Sequence, residues 1–273
     1  MTLNQAAKIL EDAGTDSPRH DAIEIFSFIL GLSRSELFIN NPDSECETLV
    51  SAIKRRASRE PLQYIIGNVC FYRETYEVSS DCLIPRSDTE ILVDYAVRSI
   101  PDGESFLDLC TGSGCIAIST LKNTKNTTAL AVDLSDKALR IAKKNAILNM
   151  VEDRLTLLNL DVLTENADGK FYAILSNPPY VSEQDYKSLS PEIFFEPQMA
   201  FLGGADGLKF YRTITEKYRT CLKPNGFIAY EIGYDQAEAI RKIANDFSMS
   251  CEIIKDYSGN NRVAVLKEQG SVM

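Results

Sequence analysis

An asparagine, two prolines and a tyrosine stand in a row at Asn177-Pro178-Pro179-Tyr180, directly behind the apolar run Phe171-Tyr172-Ala173-Ile174-Leu175-Ser176. Two consecutive prolines remove two backbone N–H donors and hold φ near about −65° at both residues, so the carbonyls of this stretch point in stiff directions. A planar –NH2 group suits such an array. The Asn177 side-chain oxygen and the Pro178 carbonyl can hold its two hydrogens while the nitrogen lone pair faces an electrophile. That is group transfer onto an amide or an exocyclic amine, with the Tyr180 ring walling the pocket, facing a cation or simply packing. The same four residues also read as an ordinary strand stop, because Asn-Pro opens turns and Pro-Pro ends pairing.

A second motif favours chemistry. Ser105-Phe106-Leu107-Asp108-Leu109-Cys110 reads as a buried strand and runs through Thr111-Gly112-Ser113-Gly114 into a helical stretch from Cys115 to Lys122. Glycines let a ligand approach the main chain, and the free N–H groups of a helix start favour an anionic group. The next strand, Thr128-Ala129-Leu130-Ala131-Val132, ends in Asp133, placed to accept hydrogen bonds from ribose hydroxyls. The loop lacks the third glycine of a dinucleotide fingerprint and the Gly-Lys-Ser/Thr ending of a P-loop, which counts against NAD and nucleoside triphosphates. S-adenosylmethionine fits better. Its amino-acid part would lie by Gly112 to Gly114, its ribose on Asp133 and its adenine by Leu160-Asp161-Val162. Asp161 reads equally as an acceptor for the adenine amine or as a turn cap.

These residues need a scaffold. Strand ends at 109, 133, 160 and 176 in succession imply an α/β domain whose mostly parallel sheet gathers its loops at one edge. Beyond them, a helix is expected over 208–222, a strand over 227–232, a helix over 236–247 and two strands over 251–257 and 262–267. Only Gly259-Asn260-Asn261 separates the last two from each other after Ser258, so they pair antiparallel, and one strand of the sheet at its end is reversed. The aromatic stretch through Phe194-Phe195-Glu196-Pro197 to Gly203-Gly204-Ala205-Asp206-Gly207 is too rich in glycine for a regular element and reads as a loop over the site.

Upstream, residues 3–60 show helical spacing, broken at Asp16-Ser17-Pro18, Gly31 and Asn40-Asn41-Pro42, which gives about four helices. Tyr64 to Gly67 and Phe71 to Val78 read as a hairpin turning at Arg73-Glu74, and Ser87 or Asp88 as the cap of a helix running to Val97. The expected division is a helical domain over 1–62, a hairpin and linker over 63–86, and an α/β domain over 87–273. Seven scattered cysteines without a Cys-x-x-Cys argue for reduced thiols rather than disulfides or a metal site. Cys110 and Cys115, flanking the glycine loop, read as packing residues. A formal charge of −10 opposes tight non-specific binding of nucleic acid, so no direct nucleic-acid partner is expected. No run approaches the length of a membrane span and the start lacks a signal peptide, so the expected location is cytoplasmic, with no membrane partner. Lys54-Arg55-Arg56 with Arg59 reads as a solvated helix face or a partner contact, and His20 as a surface or capping residue.

With these residues in view, the chain resembles the HemK/PrmC-type protein-(glutamine-N5) methyltransferases that modify peptide chain release factors. The resemblance spans nearly the whole chain: Pro61-Leu62-Gln63-Tyr64-Ile65, residues 83–90, 107–118 and 176–181, Phe195-Glu196-Pro197, residues 204–212, Glu231-Ile232-Gly233 and residues 259–263. It implies a class I (Rossmann-like) methyltransferase fold with a mostly parallel seven-stranded sheet, one strand antiparallel, and a small N-terminal helical domain. It also implies S-adenosylmethionine as cofactor and, as substrate, the glutamine of a Gly-Gly-Gln loop in release factors. On this resemblance Cys110, Thr111, Gly112, Ser113, Gly114, Asp133, Val162 and Asn177 line the cofactor site, and Asn177, Pro178, Pro179 and Tyr180 hold the glutamine. Three positions depart from the family pattern: Cys110 stands where glycine is usual, Ser87 replaces a proline, and Val162 replaces an aromatic that would stack on adenine. The first two are similar to a sister family that methylates a glutamine of a large-subunit ribosomal protein. Adenine-N6 methylation of nucleic acid and a non-enzymatic docking module of the translation machinery are the remaining alternatives.

Overall fold

Neighbouring residues along the central strands are both buried, but in different cores: Phe106 lies in one apolar cluster and Leu107 in another, and so do Ala173 and Ile174, Phe227 and Ile228, and Val263 and Ala264. Successive side chains of a strand point to opposite faces, so a sheet covered on both sides reads as an unbroken apolar run. This is the pattern in the protein, a computed structural model in which residues 1–44 and 46–268 are described. The last five residues of the expected α/β domain, 269–273, lie outside the described residues.

The chain divides into two compact units, one made of residues 1–68 with 190–195 and the other of 69–189 with the described residues from 196 on. The first holds α1 (Leu3–Asp12), α2 (Pro18–Leu30), α3 (Arg34–Asn40), α4 (Glu47–Ala57) and the short α5 (Leu62–Ile66). Capping boxes at Thr2/Gln5 and Ser33/Glu36 start α1 and α3, and Pro18 occupies the first turn of α2, where its missing N–H costs nothing. Leu10, Ile25, Phe26, Leu49 and Ile53 form this unit's core. The basic run on α4 is not a solvated face throughout. Arg56 is buried and its Nε donates to Asp21 at 2.7 Å, while Arg59 Nε donates to Glu192 at 2.6 Å. Buried charge persists where it is paired, and Asp21 and Glu192 supply the pairing.

Residues 64–66 belong to α5, opened by Pro61 and closed by the Gly67 N–H donating to Gln63 O at 2.7 Å, rather than to a strand. The hairpin consists of β1 (Asn68–Phe71) and β2 (Glu74–Glu77). It turns at Tyr72-Arg73, one residue earlier than expected, with φ of 49° and 77°. This is the geometry of a two-residue turn that matches strand twist.

The second unit then runs α6 (Glu90–Ser99), β3 (Ser105–Leu109), α7 (Cys115–Lys122), β4 (Thr128–Asp133), α8 (Asp136–Leu148), β5 (Leu155–Asn159), β6 (Phe171–Ser176), α9 (Glu183–Tyr186), α10 (Lys209–Tyr218), β7 (Leu222–Glu231), α11 (Ala237–Asp246), β8 (Met249–Lys255) and β9 (Asn261–Glu268). Its seven-stranded sheet has the order β5-β4-β3-β6-β7-β9-β8, parallel except where β9 pairs antiparallel with both β7 and β8. The reversed strand is the last in sequence, but it lies one place in from the edge. Residues of α6, α7 and α8 join the core on one face, and residues of α10 and α11 join the other. A single short 3-10 turn, Ser87–Thr89, leads into α6, and neither Ser87 nor Asp88 caps it; Asp88 instead pairs with Arg262 at 3.0 Å.

Candidate active site

The chain winds outward from β3 through β4 to β5 and then returns to lay β6 on the other side of β3, so a crevice opens at the carboxyl ends of β3 and β6. Ser176, the last residue of β6, donates its hydroxyl to Leu109 O at 2.7 Å and stitches the two strand ends together. The loops leaving four strands meet here around one cavity. Cys110, Thr111, Gly112 and Ser113 follow β3, Asp133 ends β4, Leu160, Asp161 and Val162 follow β5, and Asn177 and Pro179 follow β6.

Internal hydrogen bonds hold the glycine loop. Thr111 N–H donates to Val132 O at 3.0 Å, Thr111 Oγ1 to Asp108 Oδ2 at 2.5 Å and Gly114 N–H to Thr111 O at 2.9 Å. Cys110 sits at φ 62°, a left-handed conformation that costs a residue with a β-carbon about 1–2 kcal/mol. That is the physical reason glycine suits this position, and the cysteine bears the strain. Burial pushes its thiol far above the usual cysteine range, which fits a packing role. Gly114 does not border the cavity. At φ 82° it starts α7, and a β-carbon there would lie 2.9 Å from Ile118 Cδ1 and 3.2 Å from Ala142 Cβ, so its role is the close approach of α7 to α8. A β-carbon on Gly112 would meet nothing within 4 Å, because that side of the loop is cavity.

Asp133 accepts the Gly112 N–H at 2.8 Å on one oxygen and the Ser135 N–H at 2.9 Å on the other. A carboxylate oxygen has two lone pairs, so both retain capacity towards the cavity that Asp133 borders. Burial raises its pKa, against the pull of these N–H groups. Asp161 caps a turn, accepting from Leu163 N and Thr164 Oγ1, and borders the cavity as well. Val162 is buried beside it and offers an aliphatic wall where an aromatic face would stack.

Two members of the proline element turn elsewhere. Pro178 is buried off the cavity, and Tyr180 sends its hydroxyl to Glu231 Oε1 at 3.2 Å. Sequence reasoning assigned no role to the partners that hold this element. Glu231, 2% exposed at the end of β7, accepts from Thr89 Oγ1 on its other oxygen at 2.5 Å, and Asn177 Nδ2 donates to Thr89 Oγ1 at 3.3 Å. The available signal was a carboxylate closing the apolar run Phe227-Ile228-Ala229-Tyr230, since such a group is seldom fully buried without partners. The glycine-rich segment is also not simply a cover. Gly203 N–H donates to Val181 O at 2.9 Å and Gln236 Nε2 to Tyr180 O at 3.0 Å, so this segment and the start of α11 brace the element from behind.

The outer wall comes from Asp81, Cys82, Leu83, Pro85 and Arg86 on one side and Pro197, Met199 and Ala200 on the other. Glu196 joins them, pairing with Arg86 and accepting the Ile84 N–H at 2.9 Å. Glu196→Ala would leave that buried N–H unsatisfied, so we expect a loss of about 2 kcal/mol in urea unfolding and weaker cofactor binding. Stability unchanged to within error would contradict this role.

Asp108 is fully buried, with burial pushing its pKa from 3.8 up to about 7 and the Thr111 hydroxyl and Ala117 N–H opposing the rise. An acid whose folded value exceeds its unfolded value binds more protons when folded, so stability should fall as pH rises from about 4 to about 7 and then level off. Asp108→Asn should flatten that slope and raise the urea midpoint at pH 8 relative to the unsubstituted chain. Identical slopes in the two proteins would refute the assignment. Asp133, Glu196 and Glu231 are shifted in the same direction by burial, so some slope remains.

No helix among the described residues is long and apolar enough to cross a membrane, and no cluster of metal-ligating side chains occurs among them. Residues 2–67 match a family profile described as the PrmC N-terminal domain, and residues 87–207 match the methyltransferase small domain. Among similar proteins is a release factor glutamine methyltransferase of Thermodesulfovibrio yellowstonii, 38% identical over 92% of this chain and 93% of that protein. Another of that name from Fusobacterium nucleatum subsp. nucleatum is 34% identical over 97% of this chain and 77% of that protein. Among solved structures, a methyltransferase from Pyrococcus furiosus superposes with a TM-score of 0.52 at 18% identity, covering 70% of this chain and 86% of that one, a likeness of fold alone.

Proposed function

Since the chain belongs to the release factor glutamine methyltransferase family, we propose that it transfers a methyl group from S-adenosylmethionine to the side-chain amide nitrogen of the glutamine in the Gly-Gly-Gln motif of peptide chain release factors. One observation carries the reading: Asn177 and Pro179 border the same cavity as Gly112 and Asp133, so an amide acceptor and an adenosine-type site share one space. The residues present fit the cofactor. Asp133 retains lone pairs for a diol, Gly112 leaves open room beside the loop, and Asp161 with Val162 offers an edge acceptor and an apolar wall. When bound, S-adenosylmethionine supplies an electrophilic methyl group on a cationic sulfur.

An amide nitrogen is a poor nucleophile because its lone pair is delocalised into the carbonyl. The chain's own residues compensate by position and electrostatics. Asn177 Oδ1, on the cavity, accepts one amide N–H group, which orients the nitrogen and favours the positive charge that develops on it; Pro178, whose carbonyl was the second acceptor expected from the sequence, lies off that cavity. The paired prolines keep this strand end stiff, and the buried Val162 and Pro179 give the cavity apolar walls. The helical unit over 1–62 serves recognition of the release factor, residues 63–86 link, and the remainder carries transfer.

The test is incubation with labelled cofactor and either a release factor, a large-subunit ribosomal protein or nucleic acid, followed by mass measurement of the Gly-Gly-Gln peptide. A single added methyl on that glutamine is expected. Label on either competitor and none on the release factor would overturn the reading.

A further inference from the structure

Resting on that reading, we infer that Thr89 and Glu231 are positioning residues which set the way round that the Asn177 carboxamide stands, so that its oxygen rather than its nitrogen meets the substrate amide. A threonine hydroxyl carries one proton. The Thr89 hydroxyl lies 2.5 Å from Glu231 Oε2, and a carboxylate only accepts, so that proton is committed to Glu231. What remains on Thr89 Oγ1 is a lone pair, and Asn177 Nδ2 stands 3.3 Å away as its donor. A reversed carboxamide would set the lone pairs of Asn177 Oδ1 against those of Thr89. The oxygen is therefore the end left over.

The same carboxylate steadies the far end of the element, since its other oxygen accepts from the Tyr180 hydroxyl at 3.2 Å. Strand register makes this possible: Ser176 pairs with Tyr230, so Asn177 and Glu231 leave adjacent strands side by side. Burial raises the pKa of Glu231, and Thr89 and Arg262 oppose that rise; Arg262 also pairs with Asp88 at 3.0 Å, the residue before Thr89. Three segments distant in sequence thus converge on the orientation of one amide, through a residue that itself need touch no reacting atom.

The experiment compares Thr89→Val, Thr89→Ser and Glu231→Gln with the unsubstituted protein, using a release factor as substrate and measuring kcat, KM, cofactor Kd and Tm. Valine keeps the shape of threonine and removes the hydrogen bonds. We expect kcat to fall roughly 100-fold in Thr89→Val with cofactor Kd within about threefold of native, and Thr89→Ser to recover most of the loss. Glu231→Gln, which can present an N–H to Thr89 in place of an acceptor, should fall with Thr89→Val. Because Glu231 is buried and its variant can fail to fold, the threonine pair decides the matter. An active native protein with Thr89→Val equally active, or with Thr89→Ser as impaired as Thr89→Val, overturns this inference alone. A native protein inactive on release factors overturns the underlying reading and this one with it.

Discussion

Replacing Asn177 by alanine should lower kcat on a release factor by about a thousandfold, leaving cofactor affinity and melting temperature close to native. Of the residues bordering the cavity beside the cofactor-type half, Asn177 brings a carboxamide on a strand end stitched by Ser176 to Leu109, so the loss falls on alignment of the amide. The cost to the fold is small. Asn177 is only half-buried and gives up a single 3.3 Å hydrogen bond to Thr89, worth about 1 kcal/mol or less. Single-turnover methyl transfer, with calorimetric cofactor titration and a thermal melt in parallel, separates the effects. A variant that transfers at the native rate would remove Asn177 from the chemistry, and one that no longer binds cofactor would move it to the other half of the site.

The second large effect should come from a residue that touches neither ligand. In Gly207→Ala the added β-carbon would lie 2.3 Å from Tyr180 O and 3.0 Å from Gln236 Nε2, with φ at 72°. The left-handed backbone costs about 1–2 kcal/mol and overpacking against main chain about 1–3 kcal/mol more, so roughly 3 kcal/mol of stability should go. In a domain of this size that is a drop of about 10 °C in Tm. Because the atom displaced belongs to Tyr180, kcat should fall even at temperatures where the variant stays folded. A native Tm would show that the brace gives way freely; a native kcat in a destabilised variant would show that Asn177 keeps its place without support from Tyr180.

Much of this arrangement was legible in the residues themselves. The strands at 105–109, 128–133 and 171–176 and the helix at 115–122 follow from apolar runs broken by glycine, asparagine and proline, because both faces of the sheet are covered and the signal is continuous. What was hidden depends on partners far apart in sequence. Arg56 looked solvated because Asp21 and Glu192 are not near it in the chain, and Tyr180 looked like a pocket wall because Glu231 arrives from another strand. Gly114 looked like a cradle until α8 was seen to pass within contact of it. A one-residue error at the Tyr72-Arg73 turn arose because two residues with β-carbons take a backbone shape that sequence rules reserve for glycine and asparagine.

The position of β9 governs when the enzyme can come into being. It threads between β7 and β8, and it brings Arg262 to the group around Glu231. During synthesis, β7 and β8 therefore emerge with unpaired rims and wait for a wedge made later, a long-range closure that is slow and exposed to misassembly. A nascent chain halted before residue 261 would hold most of the amino acids of the catalytic crevice and still be unable to finish it.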